Sequence, residues 1–285
     1  MNLKEPVNTR GSIGDILVSR GQLQPADIPR VIERQKAQRE PFGAAAVALK
    51  LVSQADLDAA LATQFGYDYL QPGDNSISPE VVTAFKPFSS AAEEMRALRS
   101  QLMLRGFGTP EGRNVLSIVS PQPLDGRSFL AANLAVAFAQ QGQRTLLIDA
   151  DFRKPRQDKI FRTPNSAGLV GILAGRVGTE VLSPIAALPG LSVLAAGALP
   201  PNPQELVSKP AFVHLLQNAA RAFDVVLVDT PATSTTSDAE IIAARAGASL
   251  LVARKHKSLL RATSQLAQQL QQGGVVLVGS VLNQY

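Results

Sequence analysis

The 285-residue chain has no cysteine, no tryptophan and only three tyrosines. The missing cysteines exclude disulfides and thiolate metal sites. With aromatics at 5%, the chain also lacks the interleaved stacking platform of a single-strand nucleic-acid binder. Its longest apolar runs, such as VVLVGSVL at 275–282, are too short to span a bilayer. No charged-then-apolar leader opens the sequence, so a soluble, cytoplasmic protein is expected. Acidic residues number 23 against 28 basic ones, leaving a net charge of +5. The basic residues are spread along the chain, half of them through 96–113, 144–162 and 254–261, rather than packed into one arm. They read as solvated surface: nucleic acid is not an expected partner, while an anionic membrane surface or acidic partner stays open.

What is present suits a globular chain of one large or two ordinary domains, at 45% hydrophobic and 18% charged. An internal repeat comes first. SIGDILVSRGQLQPADIPRVIERQ at 12–35 aligns without gaps to PFGAAAVALKLVSQADLDAALATQ at 41–64, pairing Gly14 with Gly43, Leu23 with Val52, Asp27 with Asp56 and Ile32 with Leu61. Each unit reads as a short helix, a turn and a second, polar-capped helix with apolar residues at helical spacing. Neither can bury its apolar face alone, so the two are expected to pack as one small helical domain over 10–70. This repeat resembles the N-terminal domain of type II secretion and pilus-assembly ATPases, some of which bind cyclic di-GMP. Those versions open each motif with Arg-Leu-Gly, whereas here stand Ser12-Ile13-Gly14 and Pro41-Phe42-Gly43. A protein-docking role is therefore expected in place of cyclic di-GMP binding.

A stretch rich in Pro, Gly, Ser and Asn follows, and residues 71–88 read as a linker. From 89 to 285 the pattern is α/β. The runs at 114–120, 144–150, 191–196, 224–229, 248–253 and 275–283 are apolar and β-branched, as strands buried on both faces require, which predicts a mainly parallel sheet. Ligands of such sheets sit beyond the carboxyl ends of the strands. Three segments end strands there: SPQPLDGRSFLAANLA at 120–135, a loop running into a helix; LLIDADFRKP, carrying Asp149 and Asp151; and VVLVDTPA, carrying Asp229. Backbone N–H groups at a helix start favour an anion. A hydroxyl such as Ser128 with one or two carboxylates suits Mg²⁺, which keeps several waters. Each aspartate alone would read as a strand-end turn residue; together they point to a metal–phosphate site.

In their order along the chain, SPQPLDGRS, LLIDADFRKP, GALPPNPQELV and FDVVLVDTPA resemble a bacterial tyrosine kinase, of the EpsG-type chain-length determinant branch. The resemblance implies a P-loop NTPase domain of the MinD/ParA-like group that uses ATP and Mg²⁺ in exopolysaccharide synthesis and export. It implies that Gly126, Arg127 and Ser128 hold phosphates and metal, and that Asp149 and Asp151 organise the metal and the acceptor hydroxyl. Asp229 would act on the metal through water, Arg153 would lie near the phosphates or an acceptor segment, and Asn283 and the PPNP at 200–203 would lie on the side of the base. It further implies self-association through the Glu93, Arg96 and Arg99 helix face and a separate membrane-embedded chain-length regulator, which would recruit the protein to the inner face of the membrane.

The chain departs from the family pattern at several positions. Arg127 stands where such loops carry lysine, and its planar guanidinium keeps the charge but not the fit. Leu124 replaces a glycine and would be strained if the loop needs positive φ. Phe129 replaces a second hydroxyl residue, and the tail offers one tyrosine, Tyr285. Binding of Mg-nucleotide with reduced phosphotransfer is expected. The alternatives are a pseudokinase scaffold of the same complex and a ParA/MinD-like positioning ATPase.

Overall fold

A computed structural model describes residues 12–65, 69–71, 73–108 and 113–284; Tyr285 and the start of the 10–70 segment lie outside them. The chain divides into two compact units, Met1–Gly73 and Asp74–Tyr285. In the first, helices α1 (Ile13–Ser19), α2 (Ile28–Gln38), α3 (Phe42–Ala48) and α4 (Gln54–Phe65) follow the repeat. Ser12 and Asp15 cap α1 reciprocally, and Ser53 and Asp56 do the same for α4. The equivalent Leu23 and Val52 share one core with Leu17, Val31, Ala46 and Ala60. Gly43 lets two helices close up, since a Cβ there would stand 2.3 Å from the Leu57 side chain.

The second unit opens with α5 (Val82–Phe85) and α6 (Ser90–Leu104), then alternates: β1 (Val115–Val119), α7 (Arg127–Ala139), β2 (Thr145–Asp149), α8 (Gln157–Phe161), α9 (Gly168–Leu173), β3 (Ser183–Pro184), β4 (Leu191–Leu194), α10 (Pro203–Ser208), α11 (Pro210–Ala222), β5 (Val225–Asp229), α12 (Asp238–Ala246), β6 (Ala248–Arg254), α13 (Leu260–Gln272) and β7 (Val276–Asn283). Among the described residues the strands form one sheet, in the order β3-β4-β2-β5-β1-β6-β7. All pairs are parallel except β3 with β4. The strands β1, β2 and β5 are buried at every position, which is why their sequences are apolar without alternation.

Two expectations need correction. The run 275–283 is not buried on both faces: β7 is an edge strand, leaving Val276 and Leu282 exposed. Residues 74–88, read as linker, pack within the second unit. The reason is Asn133, buried at the centre of α7. Its Oδ1 accepts from the Thr83 N–H and hydroxyl, both at 3.0 Å, and its Nδ2 donates to the carbonyls of Glu80 and Phe129. A buried amide so fully satisfied makes α5 part of the fold. No described helix is long and apolar enough to cross a membrane.

Candidate nucleotide site

The strand β1 ends at Val119 and α7 starts at Arg127, so the loop between them turns back over the carboxyl edge of the sheet. To do so it enters the left-handed region twice, at Leu124 (φ 64°) and at Gly126 (φ 102°). Glycine adopts that conformation freely; leucine there is strained by its Cβ, as expected for a loop that elsewhere uses glycine. Asp125 compensates. Buried beneath the loop, it accepts the Gln122 N–H at 2.9 Å and the Ser258 hydroxyl at 2.7 Å, while its carbonyl takes the Asn283 amide at 3.1 Å. The loop is thereby held from the ends of β6 and β7.

Arg127 is 8% exposed and turned inward. Its Nε donates to the Thr230 carbonyl at 2.8 Å, and one Nη donates to the Gln122 carbonyl at 2.8 Å and to the Ser120 hydroxyl. A guanidinium fork can hold three acceptors at once; the point charge of a lysine ammonium cannot reproduce that set. Arginine here staples the loop to the segment after β5.

Parallel pairing of β2 with β5 sets Asp149 directly against Asp229, and both are fully buried. Asp149 caps the next segment: Oδ1 accepts the Asp151 N–H at 3.1 Å, and Oδ2 accepts those of Arg156 and Gln157, each at 2.9 Å. Burial, then the charge of Asp229, pushes its pKa well above the usual carboxylate range against those three bonds. Burial also raises Asp229, opposed by the Arg127 charge, by Gln157 and by the neighbouring Ser128 hydroxyl. Asp229 Oδ2 accepts the Gln157 amide at 2.8 Å; Oδ1 is buried and receives no hydrogen bond. A buried carboxylate oxygen left over, beside a hydroxyl and a second carboxylate, fits a divalent cation. Among the described residues no three His, Asp or Glu form a protein-only metal cage, and Mg²⁺ bound through phosphates and waters needs none.

No family model matches the chain. The EpsB protein of Ralstonia solanacearum, named as a tyrosine-protein kinase, is 38% identical over 198 residues, covering 69% of this chain and 26% of EpsB. CapB of Staphylococcus aureus, named likewise, is 34% identical over 210 residues, which cover 73% of this chain and 90% of CapB. The chain belongs to the bacterial tyrosine kinase family. Its structure superposes on the kinase domain of the Escherichia coli tyrosine kinase ETK with a TM-score of 0.69 at 34% identity, over 75% of this chain and 83% of that one. A septum site-determining protein MinD, at 23% identity and TM-score 0.53, shares the fold, that of an α/β P-loop NTPase. The chain spans about a quarter of the length of EpsB.

For this kinase-family member the structure brings Gly126, Arg127, Ser128, Asp149, Asp151 and Asp229 to one end of the sheet, with Asn283 under the loop. Asp151 Oδ1 accepts the N–H groups of Arg153 and Lys154 and so shapes the turn after β2. The Arg153 guanidinium pairs at 3.3 Å with the buried Asp238, at the start of α12. The PPNP segment opens α10, with Pro203 as its first residue, a role proline's fixed φ explains. On α6, Arg96 donates to Glu93 and to the Pro87 carbonyl, and Arg99 donates to the Ala137 carbonyl. All three are bonds within the chain. Sequence reasoning missed Gln157 and Asp125. Gln157 donates from its backbone to Asp149, and from its amide to Asp229 and to the Ser128 carbonyl. Its place at the first turn after the DADFRKP segment was the available signal.

Proposed function

We propose that the chain binds Mg-ATP at the 120–128 loop and transfers phosphoryl groups to tyrosine, as a regulator of exopolysaccharide chain length. The carrying observation is the leftover Asp229 Oδ1, buried beside Ser128 and in register with Asp149 at the mouth of that loop. Mg-ATP, when bound, supplies the phosphoryl group and the divalent charge. The backbone N–H groups of Gly126, Arg127 and Ser128 hold phosphate and the Ser128 hydroxyl holds the metal, while the Arg127 guanidinium keeps the loop in place; Asp149 and Asp151 orient the metal and the acceptor hydroxyl; Asp229 acts on the metal through water. Asn283 holds the base end of the loop in place. Tyr285 is the acceptor in the tail, and Arg153 reaches the phosphate side after leaving Asp238.

A membrane-embedded partner is proposed from the relatives' lengths. The matched region makes up most of CapB but only a quarter of EpsB, so within this family the kinase region exists both as most of a polypeptide and as part of a longer one. The chain is proposed to dock on a chain-length regulator at the inner face of the membrane, and to self-associate through the Glu93, Arg96 and Arg99 face of α6. A second reading, a pseudokinase scaffold of the same complex, is favoured by the Arg127 staple and by the strained Leu124. Labelled ATP, the protein and its membrane partner, incubated together, separate the two: a kinase leaves phosphotyrosine and a scaffold leaves none.

A further inference from the structure

The charge of this chain is distributed unevenly. After Glu240 there is no acidic residue, and the five Lys and Arg of 241–285 equal the chain's entire net charge of +5. Four of the five lie within eight residues: Arg254, Lys255, Lys257 and Arg261, joined by His256. This segment runs from the end of β6 into the first turn of α13, and within it Leu259 and Leu260 are 66% and 81% exposed. The Ser258 hydroxyl donates to Asp125 at 2.7 Å and Arg254 donates to the Leu124 carbonyl at 3.4 Å. Those bonds set the tip of the phosphate loop, with Leu124 78% exposed, beside the segment. Three protruding leucines thus stand together among cations. The Asp125 carboxylate that accepts from Ser258 is itself buried.

We infer that this loop pair is a docking surface for an anionic lipid bilayer. Exposed leucine side chains on a loop and at a helix start gain by entering the interfacial region, where no matching pocket is required of the partner. Lys255, Lys257 and Arg261, exposed around them, meet acidic headgroups, an attraction that salt weakens. A nucleic acid would use the cations and leave the leucines in water; an acidic protein would have to supply a pocket for each leucine. The inference requires neither nucleotide nor a protein partner, so it stands or falls apart from the kinase reading.

The test is cosedimentation of the full chain with phosphatidylcholine vesicles, with and without a third of phosphatidylglycerol. Binding is expected to the phosphatidylglycerol vesicles, falling with salt, and to drop by about tenfold or more in Leu259→Asp/Leu260→Asp. A Lys255→Glu/Lys257→Glu variant is expected to lose the salt-dependent part. Because the chain has no tryptophan, Leu260→Trp makes a sole reporter whose emission should shift to the blue on those vesicles alone. Equal binding to both vesicle types, an unshifted emission from the Leu260→Trp variant, or aspartate variants that bind like the parent would overturn the inference. Failure to bind vesicles while an acidic protein is retained through the same residues would overturn it in favour of a protein partner.

Discussion

Replacing Arg127 by lysine tests how the phosphate loop is held. In the structure the guanidinium satisfies the carbonyls of Thr230 and Gln122 and the Ser120 hydroxyl from a nearly buried position. An ammonium in that space retains one of the three acceptors. Hydrogen bonds to a charged donor contribute about 1.5–3 kcal/mol each when buried, and the Gln122 side is open enough for water to replace part of the loss. The net cost of Arg127→Lys is then about 2–4 kcal/mol, which for a domain of this size lowers its thermal midpoint by roughly 6–12 °C. Scanning calorimetry of the second unit's transition is the assay, because the chain has no tryptophan to report on the sheet by fluorescence. A lysine frees the loop to close on phosphate as the family pattern does, so ATP turnover is expected to rise about tenfold, equivalent to roughly 1.4 kcal/mol of barrier. A variant as stable as the parent, within about 0.5 kcal/mol, would refute the staple, and stability lost without a gain in turnover would refute its link to activity.

Three further outcomes follow from the geometry. Asp149 and Asp229 both have pKa values raised by burial, so the folded state holds more protons than the unfolded one. The metal-free protein should therefore lose stability as pH rises from the ordinary carboxylate range toward the folded values, and Asp229→Asn should flatten that fall and stabilise the neutral-pH protein by on the order of 1–3 kcal/mol; an unchanged pH slope in calorimetry would contradict this. Leu124→Gly removes a left-handed leucine and should stabilise the second unit by about 1 kcal/mol in a denaturant titration, with no gain if the strain is absent. Gly168→Ala should cost more than about 3 kcal/mol, since a Cβ would stand 2.3 Å from the Ala195 carbonyl oxygen at φ +48°; soluble, undiminished expression of that variant would show the contact to be wrong.

The parallel strands were legible because burial on both faces leaves an uninterrupted apolar run, and the three strand-end aspartates were legible because the fold sends every such strand to one edge. The antiparallel β3 was not, since a two-residue pair at the sheet's end leaves no pattern. The edge position of β7 was hidden because its composition matches that of a buried strand. Residues 74–88 look like a linker in composition, and only Asn133, polar in the middle of an apolar helix, hinted that something covers α7. Leu124 was flagged correctly as a residue in a glycine's place. The direction of Arg127 was not legible: its acceptors are carbonyls at Gln122 and Thr230, which carry no side-chain signature. The partner of Arg153 was not legible for the same kind of reason, as Asp238 lies 85 residues away and is recognisable only after folding.

ATP titrated by calorimetry into the full chain, with and without Mg²⁺, tests the central claim most directly. The account predicts saturable binding that requires Mg²⁺ and weakens about tenfold or more in Ser128→Ala and in Asp229→Asn. Absence of binding in both the parent and Arg127→Lys, or binding indifferent to Mg²⁺ and to both substitutions, would contradict it.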